Sequence, residues 1–210
     1  MPASGNADIS KFTAINTSNT PLSATITVST EGQVETFAYI PNNVSNDVSV
    51  INVATNTVVA TIPVGDSPIG VAISPDGTKV YVTNNFSNFV TVINTATNSV
   101  IGTINVGDYP SGIAVSPDGS QIYVTYIYSN FISIFNTISN ALTATVAVGV
   151  SPIGVIVSPD GTKAYVTNSN SDSLSVISTS TNSILATIAV GDTPVGVCNS
   201  MDGTLVYVAN

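Results

Sequence analysis

An ungapped repeat of 42 residues constrains this chain more than any other feature. Residues 67–108, SPIGVAISPDGTKVYVTNNFSNFVTVINTATNSVIGTINVGD, return as residues 109–150 and 151–192, and a further copy runs from Thr193 to Asn210. A fixed period of this size marks stacked copies of one supersecondary unit. Each copy holds four short runs rich in Val, Ile, Thr and Tyr. In residues 67–108 they are 70–74, 79–83, 89–94 and 99–106. That is strand length and strand composition. No window sets apolar residues at helical spacing.

Ser74-Pro75-Asp76-Gly77 joins the first two runs and returns at 116–119 and 158–161. Ser200-Met201-Asp202-Gly203 loses the Pro and keeps Asp-Gly. Pro presets its own φ and Gly supplies a positive one, so each is a tight hairpin turn. Asn94-Thr95-Ala96-Thr97-Asn98 turns the third run into the fourth. Connections this short make each copy a four-stranded antiparallel meander. Such a sheet cannot bury both faces alone. Stacked radially, each covers its neighbour, so the fold class is all-β and the architecture a β-propeller.

Tyr39-Ile40-Pro41-Asn42 stands one period before Tyr81-Val82-Thr83-Asn84, so another copy spans residues 25–66. Upstream, Thr13-Ala14-Ile15-Asn16-Thr17 matches the third-run segment Thr91-Val92-Ile93-Asn94-Thr95. Residues 23–28 suit either a fourth strand or the first strand of the next copy, with Glu31-Gly32-Gln33 as its turn. The expected organisation is a disordered segment 1–8, a closing segment 9–24, and repeats 25–66, 67–108, 109–150, 151–192 and 193–210, the last partial. About five blades are expected, one assembled from residues 193–210 and 9–16. Residues 11–16 would pair with 205–208, within one chain or between copies. The alternatives are a fragment of a longer propeller or an open arc, whose free edges favour self-association.

Tyr81-Val82-Thr83-Asn84 and Tyr165-Val166-Thr167-Asn168, with the variants Tyr123-Val124-Thr125-Tyr126 and Tyr207-Val208-Ala209-Asn210, resemble the YVTN-repeat β-propeller family. The flanking Pro-x-Gly-Val, Ser-Pro-Asp-Gly and Val-Ile-Asn-Thr segments match it too, in phase. The resemblance implies a propeller, more often of about seven blades, in surface-layer and other cell-surface proteins, with some relatives being enzymes.

Composition narrows the function. Of 210 residues 43% are apolar and 7% charged; twelve acids face three lysines, and Arg, His and Trp are absent. A net charge of −9 without Arg argues against nucleic acid and anionic membrane as partners. No apolar run is long enough to span a bilayer. No signal peptide is visible, yet the Ser/Thr/Asn-rich solvent side is a habit of extracellular and cell-surface proteins. Without His there is no imidazole base and no haem ligand, and without Arg no carboxylate or phosphate clamp. No catalytic residue and no cofactor is assigned. The lone Cys198 takes the slot of Ala72, Ala114 and Ile156 and reads as a buried small residue.

The two ends of the strands differ. The Ser-Pro-Asp-Gly and Asn-Thr-Ala-Thr-Asn turns share one face and hardly vary. The Gly-Asp-x-Pro links and the loops after the second strands share the other and do vary, so a site belongs there. The candidate residues are Asn85, Phe86, Phe89, Tyr109, Tyr126, Tyr128 and Phe131, an apolar patch suited to a protein or a sugar ring, or else rim packing between blades. Asp66, Asp108 and Asp192 recur at one link position and are the weak candidates for metal; the plainer expectation is that each accepts backbone N–H bonds within its own link. Asn16-Thr17-Ser18, Asn43-Val44-Ser45 and Asn85-Phe86-Ser87 match the glycosylation sequon, as chance allows in such a composition. The function expected is a non-catalytic surface scaffold or adhesion module; the alternative is a hydrolase with carboxylates at the propeller axis.

Overall fold

The computed structural model describes residues 24–30 and 33–210, with side chains from Thr36 onward. The first blade is β1 (Ala24–Thr30), β2 (Gln33–Asn42), β3 (Asp47–Asn52) and β4 (Thr57–Pro63). The second is β5 (Pro68–Ile73), β6 (Lys79–Asn84), β7 (Phe89–Asn94) and β8 (Ser99–Asn105), the third β9 (Pro110–Val115), β10 (Gln121–Tyr126), β11 (Phe131–Asn136) and β12 (Leu142–Ala147). The fourth is β13 (Pro152–Val157), β14 (Lys163–Asn168), β15 (Ser173–Ser178) and β16 (Ser183–Ala189). Each is a four-stranded antiparallel meander, and β17 (Gly196–Asn199) pairs with β18 (Val206–Ala209) as a two-stranded sheet. The stretch open to two readings is a first strand: β1 pairs with β2 in the register Ala24↔Tyr39 to Thr30↔Gln33.

The core lies between blades. Tyr39, Val48 and Val50 of the first blade pack on Val71, Val80, Val82 and Ile93 of the second. Tyr81, Val90 and Val92 pack on Ile122, Val124 and Phe135 of the third, and Tyr123, Ile132 and Ile134 on Val155, Ala164 and Ile177 of the fourth. Alternation along each strand sends one set of side chains to the preceding blade and the other to the following blade. The outer strands β4, β8, β12 and β16 are mostly exposed.

Hydrogen bonds join the innermost strands. Thr125 Oγ1 accepts from Gly112 N–H at 2.8 Å within its blade and donates to the Ile153 carbonyl of the next at 2.7 Å. Thr167 does the same between Gly154 and Val195, at 2.8 and 3.0 Å, and Thr83 between Gly70 and Ser111. The glycine is obligatory because the neighbouring strand runs over it: an added Cβ at Gly112 would overlap the Ile153 carbonyl oxygen.

On the invariant face, Gly77, Gly119, Gly161 and Gly203 have φ between 70° and 73°, as the turn requires. Pro75, Pro117 and Pro159 lie against Gly119, Gly161 and Gly203 of the following blade, so the turns stack. Asp76 accepts from Ser74 Oγ at 2.6 Å and from Thr78 N–H at 3.0 Å. Equivalent bonds, led by the serine hydroxyl, hold Asp76, Asp118, Asp160 and Asp202 below the ordinary carboxylate range, Asp160 at about 2.

At the C-terminal end one expectation changes, and another rests on residues outside those described. Ring closure is not detected: β18 pairs with β17 alone among the described residues. Segments 1–8 and 11–16, expected to be disordered and to close the ring, lie outside those residues. Cys198 is exposed, because no further described sheet covers β17–β18. Tyr207 is accordingly 55% exposed, against 0% for Tyr39 and Tyr123.

Thr125→Val should strand the Gly112 N–H and the Ile153 carbonyl, costing about 1–3 kcal/mol in denaturant unfolding. Gly112→Ala should cost at least as much. Unchanged midpoints for both would remove the inter-blade bond from the fold. The four turn aspartates have depressed folded pKa values. Their contribution is complete above the unfolded carboxylate value and is lost as pH falls from about 4 towards about 2. At the other end burial raises Tyr39 to about 12, so stability should also fall as pH rises from about 10 to about 12. Melting temperatures across pH check both slopes.

Candidate functional site

The loops after β6 and β10 and the link between β8 and β9 bring three aromatic rings together on the variable face. Phe86 and Tyr109 have ring centroids 6.2 Å apart at 86°, and Tyr109 and Tyr128 5.1 Å apart at 87°. This is edge-to-face packing, the favoured aromatic geometry. The rings are nonetheless exposed, by 68%, 40% and 80% in chain order. Phe86 and Tyr128 are one period apart and therefore occupy the same loop tip on adjacent blades. Val44, 94% exposed, holds that tip on the first blade, and Asn170 on the fourth.

Tyr109 sits between them with φ of 56°, and its counterparts Ser67, Ser151 and Thr193 have φ of 55°, 58° and 55°. Left-handed backbone is costly under a bulky side chain. The small residues use the slot for the fold: Ser67 Oγ accepts from Asn43 Nδ2 at 2.6 Å, and Ser151 Oγ donates to the Ile127 carbonyl. At the seam next to Tyr109 the corresponding bond comes from Asn85, whose Nδ2 donates to the Pro110 carbonyl at 3.0 Å. The fold thus makes no use of the tyrosine side chain here, and the ring goes to the surface.

The other candidates serve the fold. Asn85, 6% exposed, is held by that bond, which also takes it out of reach as a sequon. Tyr126 is 2% exposed and belongs to the core between the second and third blades. It fills the slot of Asn84 and Asn168, whose Oδ1 atoms accept the N–H of Gly65 at 3.0 Å and Gly149 at 3.1 Å; the Tyr126 hydroxyl faces Gly107 N at 3.5 Å. Burial pushes the Tyr126 phenol up. Phe131 stacks on it, centroids 5.2 Å apart and tilted by 44°. Phe89 packs where Gly65 leaves space. Beneath the link lies an apolar groove of about 390 Å³, lined by Val106, Gly107, Phe131, Phe135 and Leu142 among others, with no carboxylate or amine.

The link aspartates do not cap their own links. Asp66 accepts from Asn46 Nδ2 at 3.2 Å and Asp108 from Asn88 Nδ2 at 2.8 Å, both donors lying about twenty residues upstream. Asn46 and Asn88 are left-handed, at φ of 60° and 57°, which aims their amides at the links. Asp66, Asp108 and Asp192 are exposed, and among the described residues no three metal-ligating side chains gather.

The family model described as YNCE-like β-propeller matches residues 30–119. No curated protein matches the chain. Among solved structures, hydrazine synthase of Kuenenia stuttgartiensis superimposes with a TM-score of 0.77 at 26% identity, over 82% of this chain and 51% of that one. A functionally unknown protein from Desulfotomaculum acetoxidans DSM 771 does so with a TM-score of 0.75 at 22% identity, over 82% of this chain and 59% of that one. The chain thus spans between half and three-fifths of the length of either.

Serine in place of Phe86, Tyr109 and Tyr128 together should leave the melting temperature nearly unchanged, since all three rings are exposed. Tyr126→Ser should cost about 3 kcal/mol or more. Equal losses from the two variants would mean that the exposed row is packing after all.

Proposed function

We propose that this YVTN-type β-propeller is a non-catalytic binding module that works at a cell surface or outside the cell, engaging its partner through the aromatic row on the variable face. One observation carries the reading: three large rings are held together and exposed, with a tyrosine at a left-handed position where the other repeats keep serine or threonine. Solvent-exposed aromatics in contact, on loops fixed by a rigid sheet, suit recognition of a protein surface or a sugar ring.

The use made of the repeat motif supports a binding role over a catalytic one. Its tyrosines fill the seams, Thr83, Thr125 and Thr167 bond adjacent blades, and Asn84 and Asn168 hold the link glycines. The chain has no imidazole or guanidinium. The groove beneath the link offers shape and apolar surface but no proton-transfer group. Placement at the cell surface rests on the Ser/Thr/Asn-rich solvent side and the family resemblance.

Immobilised glycans and cell-envelope proteins, probed with the native protein and with the triple serine variant, test this. Binding should be seen with the native protein and lost in the variant at equal folded concentration. Retention by the variant, or ester or glycoside hydrolysis abolished by Asp108→Ala, would overturn the proposal.

A further inference from the structure

The two faces differ in charge as well as in loop variability. On the invariant face Asp76, Asp118, Asp160 and Asp202 stand beside Lys79 and Lys163, which begin β6 and β14. The variable face carries Asp47, Asp66, Asp108, Asp172 and Asp192 and, among the described residues, no lysine. Two of these carboxylates adjoin the aromatic row. Asp108 directly precedes Tyr109. Asp66 lies against the Phe86 loop: its carbonyl accepts from Phe86 N–H at 3.2 Å, and its own N–H donates to Ser87 Oγ at 2.7 Å. Asn88 of the Phe86 loop holds the Asp108 carboxylate, and Asn46 of the first blade's loop holds that of Asp66.

Resting on the binding role above, we infer that the row receives a cationic segment of a protein partner, one carrying Arg or Lys. An aromatic face attracts a cation held within about 6 Å of its centroid, and guanidinium does this best. Edge-to-face packing sets Phe86 and Tyr109, and Tyr109 and Tyr128, nearly perpendicular, so the row lacks the single flat platform on which a sugar ring would lie. It offers instead the outward ring surfaces that the edge-to-face contacts leave exposed. A cation against the exposed Tyr109 ring is also drawn by the exposed Asp108 carboxylate, one residue away. A polyanionic partner would meet uncompensated carboxylates, and like charges across an interface are strongly unfavourable.

Calorimetric titration with an oligoarginine peptide tests the assignment. The native protein should bind it, and about a tenfold rise in ionic strength should weaken binding by about tenfold or more. Tyr109→Ser with Tyr128→Ser, and separately Asp66→Asn with Asp108→Asn, should each weaken it by about tenfold. Asp160→Asn with Asp202→Asn removes the same charge from the other face and should change affinity less than about twofold. Equal weakening by the two aspartate pairs would reduce the effect to net charge and overturn the assignment. No binding of the peptide, with a neutral oligosaccharide bound by the native protein and lost in the tyrosine variant, would overturn the cationic partner and leave the binding role standing. Peptide binding indifferent to the tyrosine variant would overturn both.

Discussion

From the second blade onward, each described seam turns on one hydroxyl that makes two bonds. A threonine at the end of the second strand accepts from a glycine N–H in its own blade and donates to a carbonyl in the next. The next strand can come that close because glycine presents no Cβ to it. Without the threonine, two main-chain groups would be buried unpaired, at a cost comparable to the whole contribution of an ordinary hydrogen bond or more. The apolar cores between sheets supply most of the attraction but are indifferent to small slides. The paired threonine and glycine fix the offset at which one sheet meets the next. The first seam is different: Pro41 takes the threonine slot, and there the Tyr39 hydroxyl reaches across to Asn98 at 2.8 Å.

A repeat spent in this way leaves few positions free for function. Along the Tyr-Val-Thr-Asn strand the tyrosine fills one seam, the valine the other, the threonine joins the blades and the asparagine holds the link. The stacked Pro and Gly of the turns close the opposite face. What varies is the loop tip two residues beyond the asparagine slot and the link residue after Asp. Phe86, Tyr128 and Tyr109 occupy those positions. Rigidity thus rests with the invariant positions of the repeat, and the variable ones are left free for the recognition proposed above.

The strands, hairpin turns and glycine conformations were legible in the sequence because each depends on residues a few positions apart. Exposure at the site was less so. Tyr126 and Tyr128 look alike as members of one aromatic loop, yet one closes a core and the other stands in solvent. The period itself held the signal: Tyr126 aligns with Asn84 and Asn168 at a strand end, whereas Tyr128 aligns with Phe86, Val44 and Asn170 at a tip. The partners of Asp66 and Asp108 could not be read locally, since they come from a neighbouring loop about twenty residues away. Cys198 was placed by analogy with Ala72, Ala114 and Ile156, and analogy fails where no described sheet stands beyond β17.

Amide hydrogen exchange tests the inter-blade bond most directly. If the threonine hydroxyls hold the seams, the N–H groups of Gly112 and Gly154 should exchange only through the largest opening of the molecule, alongside the central strands, while that of Tyr128 at a loop tip exchanges orders of magnitude faster. Gly112 and Gly154 amides exchanging as fast as the loop tip would contradict it, and the seams would then be held by apolar packing alone.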